Sequence, residues 1–173
     1  VTSGIKVELF SVLDRFFRTT NAWKDTDTLH VVANKRNYYI VPPFGLILRL
    51  VGVLDPNEKP IRVTMPVRGT VRFDYIPTTA FDATAYTILT VADPVKTGDS
   101  MPQVPEHILD THHDVILSGL LYRMMIQPAK PYTNANLSTL HGRQFRNGMA
   151  EARAEVDRGN VQGAQTWRFP FFA

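Results

Sequence analysis

The stretch PEHILDTHHDVILSGLLYRMMIQPAKPYTNANLSTLHGRQFRNGMAEARAEVDRGNVQGAQTWRFPFFA, residues 105–173, carries two helical patterns and a tail that can continue neither. Pro105 suits a helix start, where a missing N–H costs nothing. Glu106, Asp110 and Asp114 favour the positive N-terminal end that follows. Ile108, Leu109, Ile116, Leu117, Leu120, Leu121, Met124 and Met125 form a wide apolar face, so this helix should be mostly buried. Gly119 in its middle costs about 1 kcal/mol relative to Ala, which close approach by a neighbouring helix would offset. Pro128-Ala129-Lys130-Pro131 stops the helix, and Asn134 or Asn136 can cap the next. That one runs to about Asp157, with Leu137, Leu140, Gln144, Phe145, Met149, Ala152 and Val156 on one side. Arg143, Arg146, Glu151, Arg153 and Glu155 face away. Gly159, Gly163 and Pro170 then forbid a further helix. The tail ends on Trp167, Phe169, Phe171 and Phe172, and contiguous apolar groups usually mark a contact surface. The spacer from Gly159 to Gly163 gives reach, so the tail reads as an arm that docks on another subunit. The plainer alternative is that these aromatics pack on the chain's own sheet.

Upstream, Ile5 to Thr20 places Leu9, Leu13, Phe16 and Phe17 at helical spacing, with Asp14, Arg15 and Arg18 on the other side. Thr19, Thr20 and Asn21 end this helix, and Trp23 sits at the mouth of the next segment. From about Thr28 to Ala92 the period changes to two. TLHVVAN and NYYIV read as short strands around the turn Asn34-Lys35-Arg36-Asn37. FGLILRLVGVL alternates Leu46, Leu48 and Leu50 with Ile47, Arg49 and Val51, as a strand buried on one face and partly covered on the other. IRVTMPVRG and TVRFDYI are further strands, Thr78 to Thr84 reads as a polar connection, and AYTILTVADP is the last strand. The fold class expected is α+β: a helical bundle of one N-terminal and two C-terminal helices, an inserted antiparallel β-domain and an extended C-terminal arm. The boundaries are 1–25 and 105–157 for the bundle, 26–104 for the β-insert and 158–173 for the arm. The first helix packs with the last two, and the sheet projects from that bundle.

Composition narrows the function classes. The 173 residues suit one domain of ordinary size, and 44% hydrophobic residues supply a real core. A net charge of +3 does not by itself argue for nucleic acid. The absence of cysteine excludes a disulfide scaffold and a thiolate metal site. No apolar run approaches the roughly 18 residues of a membrane span, and no signal-peptide pattern is read.

Three constellations bear on chemistry. In EHILDTHHD, Glu106, Asp110 and His113 or Asp114 fall at helical spacings, with His107 and His112 nearby, and carboxylate with imidazole suits zinc or iron. The stronger reading is a solvated first turn, and no metal or cofactor is expected. No nucleophile elbow, P-loop or dinucleotide fingerprint is present, and no catalytic residue or enzyme activity is assigned. Arg143, Arg146, Arg153, Arg158 and Arg168 follow one another through the last helix and arm. Such a row can line a passage for DNA by phosphate contact, although Glu151, Glu155 and Asp157 balance it as a solvated face would.

The order of these patterns resembles the head–tail adaptor (connector) proteins of tailed bacteriophages. The residues that carry the resemblance are the proline-led helix from Pro105, the loop Gln127-Pro128-Ala129-Lys130-Pro131-Tyr132-Thr133-Asn134, the helix segment Phe145-Arg146-Asn147-Gly148-Met149-Ala150-Glu151-Ala152-Arg153, and the closing Trp167-Arg168-Phe169-Pro170-Phe171. Trp23 followed by DTLHVVANKRNYYIVPP fits the family's helix exit and first strands. Tyr132 stands where the family usually has Trp, and Ala129 where Gly is common; Pro128 and Pro131 already shape that turn. The resemblance implies a structural virion protein, not an enzyme, located at the neck and present in host cytoplasm during assembly. Such subunits form a ring, usually twelve-fold, under the portal protein, with a tail or neck protein on the other side and no membrane partner. The portal-binding arm would comprise Gln165, Trp167, Arg168, Phe169, Phe171 and Phe172. The alternative is a DNA-contacting head-completion or neck factor in which Arg143, Arg146 and Arg153 line the genome channel and meet double-stranded DNA without sequence preference. A metal-dependent enzyme at residues 106–114 ranks third.

Overall fold

A computed structural model describes residues 2–92 and 103–159, with the side chains of Thr2 and Ser3 left aside. The chain begins with helix α1 (Thr2–Thr20). Val12, Leu13, Phe16, Phe17 and Thr20 form its buried stripe, and both phenylalanines are fully enclosed. Burial of each ring is worth about 1.5–3 kcal/mol, so this stripe anchors the molecule. The helix ends where Asn21 adopts a left-handed backbone (φ 55°), a conformation that Asn tolerates, and its N–H bonds the Phe17 carbonyl.

Seven strands follow: β1 (Lys24–Val31), β2 (Asn37–Tyr39), β3 (Leu46–Leu54), β4 (Pro60–Ile61), β5 (Val63–Val67), β6 (Thr70–Phe73) and β7 (Phe81–Thr90). They make two antiparallel sheets, ordered β1-β7-β3-β4 and β2-β6-β5. The strand read as one run over Ile61 to Gly69 divides at Arg62: β4 belongs to the first sheet and β5 to the second. A chain that changes sheet in this way turns the corner of a sandwich. The connection from β1 to β2, which carries the chain from the first sheet to the second, is held by the Tyr38 hydroxyl, which accepts from Val32 N–H (3.1 Å) and faces the Val32 and Lys35 carbonyls.

Three expectations for the strands need correction. β7 begins at Phe81, inside the polar connection expected over Thr78 to Thr84, because Phe81, Ala83 and Ala85 point inward while Asp82 and Tyr86 stay exposed. β1 begins at Lys24, four residues earlier than expected, and pairs with β7 without interruption from Lys24↔Ile88 to Val31↔Phe81. In β3, register shifts between Ile47 and Arg49 and between Leu50 and Gly52 break the simple alternation. Bulges there turn Ile47 and Val53 inward and leave Val51 in solvent. Gly45 precedes this strand with φ +77°, and a Cβ there would stand 2.6 Å from the Thr90 carbonyl oxygen, so only glycine fits.

Two helices complete the described chain: α2 (Glu106–Met125) and α3 (Ala135–Arg158). Asn134 caps α3, its side chain accepting from Leu137 N–H at 3.0 Å. As expected, α1 packs on both, and Gly119 lies where neighbours come close. A Cβ at Gly119 would stand 2.7 Å from Val12 of α1 and 2.9 Å from Phe145 of α3. The α3 stripe is displaced from the one expected. Ser138, Gly142, Phe145, Gly148, Met149 and Ala152 are buried, whereas Leu137, Leu140 and Gln144 are exposed. Small residues at Gly142 and Gly148 admit Tyr122 and Val115 of α2, so the contact follows backbone proximity rather than the apolar side chains. The buried residues of all three helices and both sheets form one connected core, which includes Leu89 and Val91 and in which the Phe17 and Trp23 rings meet at a tilt, 5.4 Å between centroids. The Thr90 hydroxyl donates to Asp14 of α1 at 2.9 Å, a second tie between helix and sheet.

Candidate functional site

The expectation that α2 is mostly buried does not hold. Among its side chains only Ile108 and Ile116, with Gly119, are buried; Leu109, Leu120, Leu121, Met124 and Met125 are half open and Leu117 is 42% exposed. A helix with apolar residues on nearly every side is ordinarily enclosed. Here α1 and α3 cover one side and nothing else among the described residues covers the rest. Leu137 and Leu140 at the start of α3, Ile126 and Tyr132 in the loop, and Val7 of α1 add exposed apolar surface at the helical end of the molecule. A groove of about 390 Å3 runs there, lined by Ile5 and Glu8 of α1, Met124, Gln127, Lys130 and Tyr132. Glu8 is held in place by Arg123 (2.7 Å) and Gln127 (3.0 Å).

The metal candidates at the start of α2 do not come together. Glu106, His107, Asp110, His113 and Asp114 are exposed, and among the described residues no three histidine or acidic side chains are placed to hold a metal ion. The helix is kinked at His112 (φ −115°, ψ 20°), which spoils the shared face that ideal helical spacing promised. His112 itself is half buried, its ring 5.2 Å from that of Phe16. Burial holds its pKa below the usual histidine value, against the opposing pull of Glu155. His113 pairs with Asp114 at 3.3 Å in open solvent.

The arginine row divides. Arg143 and Arg146 are exposed, one turn apart, and form no ion pair with any described residue. Arg153 is half buried and committed within the chain: it meets Asp157 at 2.8 Å and donates to the Thr19 carbonyl at 3.1 Å. The Asn21 amide has one orientation that satisfies both its ends. In it the oxygen accepts from Arg153 Nη1 (2.7 Å) and Arg49 Nη2 (2.9 Å). Arg153 thus clasps α3 to the end of α1 and to β3. The arm residues Gln165, Trp167, Arg168, Phe169, Phe171 and Phe172 lie outside the described residues, as does most of the 158–173 segment.

One pair escaped the sequence reading. Asp25 and Asp27 share the inward face of β1 with Leu29 and Val31. Asp27 is half buried, yet its Oδ2 is closed off from solvent and has no hydrogen-bond partner among the described residues. Burial first, and the Asp25 charge second, raise its pKa. The period-two pattern of KDTDTLHV is the signal available in the sequence, and it extends four residues ahead of the strand expected from Thr28. On the opposite edge of the sandwich, a groove of about 690 Å3 between β3 and β5 carries Arg49, Arg62 and Asp74 beside apolar Leu50, Val51 and Ile61.

These groups offer apolar area, fixed charge and open strand edges, which are means of binding. No described helix is long and apolar enough to cross a membrane. No protein-family model matches the chain, and no curated protein matches it.

Proposed function

We propose that the protein is a structural virion component, a head–tail adaptor whose copies form a ring, twelve-fold by the resemblance, between portal and tail or neck. The observation that carries this reading is the open apolar flank of α2. Leu117, Leu120, Leu121, Met124 and Met125 are poorly covered in the single chain, and a neighbouring subunit would cover them. A contact between unlike faces closes into a ring when its rotation permits. The arm, with Trp167, Arg168, Phe169 and Phe171, supplies the second contact, toward the portal. Phe and Trp bury much area each, Arg pairs with carboxylates, and a ring multiplies weak arms through effective concentration.

The test is a mass measurement of the full chain, alone and mixed with portal rings. The expected result is a ring of adaptor subunits bound to portal, with attachment lost in a Trp167→Ala/Phe169→Ala/Phe171→Ala variant. Failure of the wild-type chain to join portal, together with a monomeric mass at every concentration tried, would sink the reading.

A second reading, contact with passing DNA, draws on Arg143 and Arg146, which are exposed on adjacent turns and engaged by no described carboxylate. The two readings are compatible, since a ring wall has an inner surface.

A further inference from the structure

The second sheet, β2-β6-β5, turns a face of nearly one sign of charge to solvent. Its register sets Asn37, Arg72 and Thr64 in one row and Tyr39, Thr70 and Val67 in the next. Tyr38, Val71 and Phe73 are buried and point inward, so alternation directs these two rows outward. Asn37, Arg72, Thr64, Tyr39 and Val67 are exposed, and Thr70 is half-buried. Arg62 adds a cation at one end, where its carbonyl accepts from Asp74 N–H at 3.2 Å and continues the ladder. Arg68 adds another at the opposite end, in the turn that Gly69 closes with φ 80°.

The guanidinium groups of Arg62, Arg68 and Arg72 are exposed and form no ion pair with any described residue. By contrast, Arg18, Arg123 and Arg153 on the helices each have a carboxylate oxygen within 2.8 Å. Arg36 is engaged by the sheet itself, donating to the Phe73 carbonyl at 3.1 Å and the Asp74 carbonyl at 2.8 Å. Lys35 lies over the Tyr38 ring, 5.4 Å from its centroid. Residues 35–39 and 61–76 hold these five cations against one acid, Asp74, while acids and bases nearly balance in the rest of the chain. The net charge of +3 therefore has its source in this sheet. A field of one sign over a solvated face draws polyanions to it.

Arg62 to Arg68 spans roughly 20 Å along β5, a length over which a DNA duplex presents about twelve phosphates. The face is three strands wide, too broad for the major groove, which admits a two-stranded ribbon. It suits the phosphate backbone instead, where Asn37, Thr64, Thr70 and Tyr39 offer further donors. The centre of the face, Asn37, Arg72 and Thr64, is polar throughout, whereas a protein interface is depleted in charge at its centre. We propose that the outer face of β2-β6-β5 binds duplex DNA through its phosphates, without sequence preference, and that Arg62, Arg68 and Arg72 make the principal contacts. Arginine suits the role because its planar fork meets two phosphate oxygens at once. This surface lies on other elements than Arg143 and Arg146 of α3, and it depends neither on the ring nor on the arm.

The test titrates the full-length chain onto a fluorescent duplex of about 20 base pairs, at salt from roughly 50 to 200 mM, and reads binding by anisotropy. The expected result is binding by the wild-type chain that Arg62→Gln/Arg68→Gln/Arg72→Gln weakens about tenfold or more at the lower salt. The same variant should lower the slope of log affinity against log salt by about 2.7, the loss of three phosphate contacts. An Arg143→Gln/Arg146→Gln background should show the same loss on adding the three changes, which separates this face from α3. Asp74→Asn, which removes the one acid, should tighten binding a few-fold, a gain that misfolding cannot produce. Unchanged affinity and slope in the triple variant would overturn the proposal, as would a wild-type chain that ignores the duplex at the lower salt. A triple variant that changes the mass of the chain alone and leaves DNA binding as it was would overturn it too, and would assign the face to a second copy. Portal attachment is read in a separate mixture, so either reading can fail without the other.

Discussion

At the scale of single residues, His112 shows how position overrides type. A histidine in HHD beside two acids suggests a ligand, yet its ring lies on Phe16 at a kink, half removed from water. Burial favours the neutral ring, so the folded chain takes up the proton at lower pH than the unfolded chain, whose imidazole titrates near the ordinary value of 6.5. The unfolded state therefore binds more protons as pH falls below that value, and stability declines there until the folded ring also protonates. Glu155 of α3 opposes this, and weakens it without reversing it. His112→Leu should flatten the loss of stability between pH 7 and the carboxylate range, measured by urea unfolding of both proteins across that window. An unchanged slope would remove His112 as its source.

At the scale of elements, Gly119 is the point where three helices meet. Its place in the middle of an apolar run told of a close neighbour, and Val12 and Phe145 are that neighbour. Gly119→Ala gains about 1 kcal/mol of helix propensity but forces a methyl against two packed side chains, an overpacking worth about 1–3 kcal/mol. The net expectation is a loss of about 1 kcal/mol in urea unfolding; a gain would mean that the helices separate at no cost. The elements themselves were legible where one face is buried and the period is unbroken: α1 through Leu13, Phe16 and Phe17, the Asn134 cap, and β6 through Val71 and Phe73. They were illegible where tertiary contact breaks the period. Bulges in β3 shift which side chains enter the core, and β4 and β5 separate at Arg62 with no turn residue between them. Leu137 and Leu140 look like core, but glycines at 142 and 148 let α2 approach along a different line.

At the scale of the whole molecule, the sequence conveyed the order of helix, sheets and two helices, and the single core that joins them completes it. The site was less legible. The arginine row reads as uniform, yet Arg153 is consumed by contacts with Thr19 and Asp157 that arise only after folding. Arg143 and Arg146 remain available. If they line a passage for DNA, Arg143→Gln/Arg146→Gln should leave assembly with portal intact and alter DNA retention in the assembled particle, read as the fraction of particles that keep their genome. It should also shrink the salt dependence of any DNA binding by about two phosphate contacts. Loss of assembly instead would place these arginines at a subunit boundary.

The clasp at Asn21 bears on how the molecule carries tension. Arg153, Arg49 and Asn21 knot the last third of α3 to the exit of α1 and to β3. A pull applied at residue 159 therefore meets, less than two turns into α3, contacts to the exit of α1 and to a strand together. A subunit tethered by its tail would yield as a block, or hold.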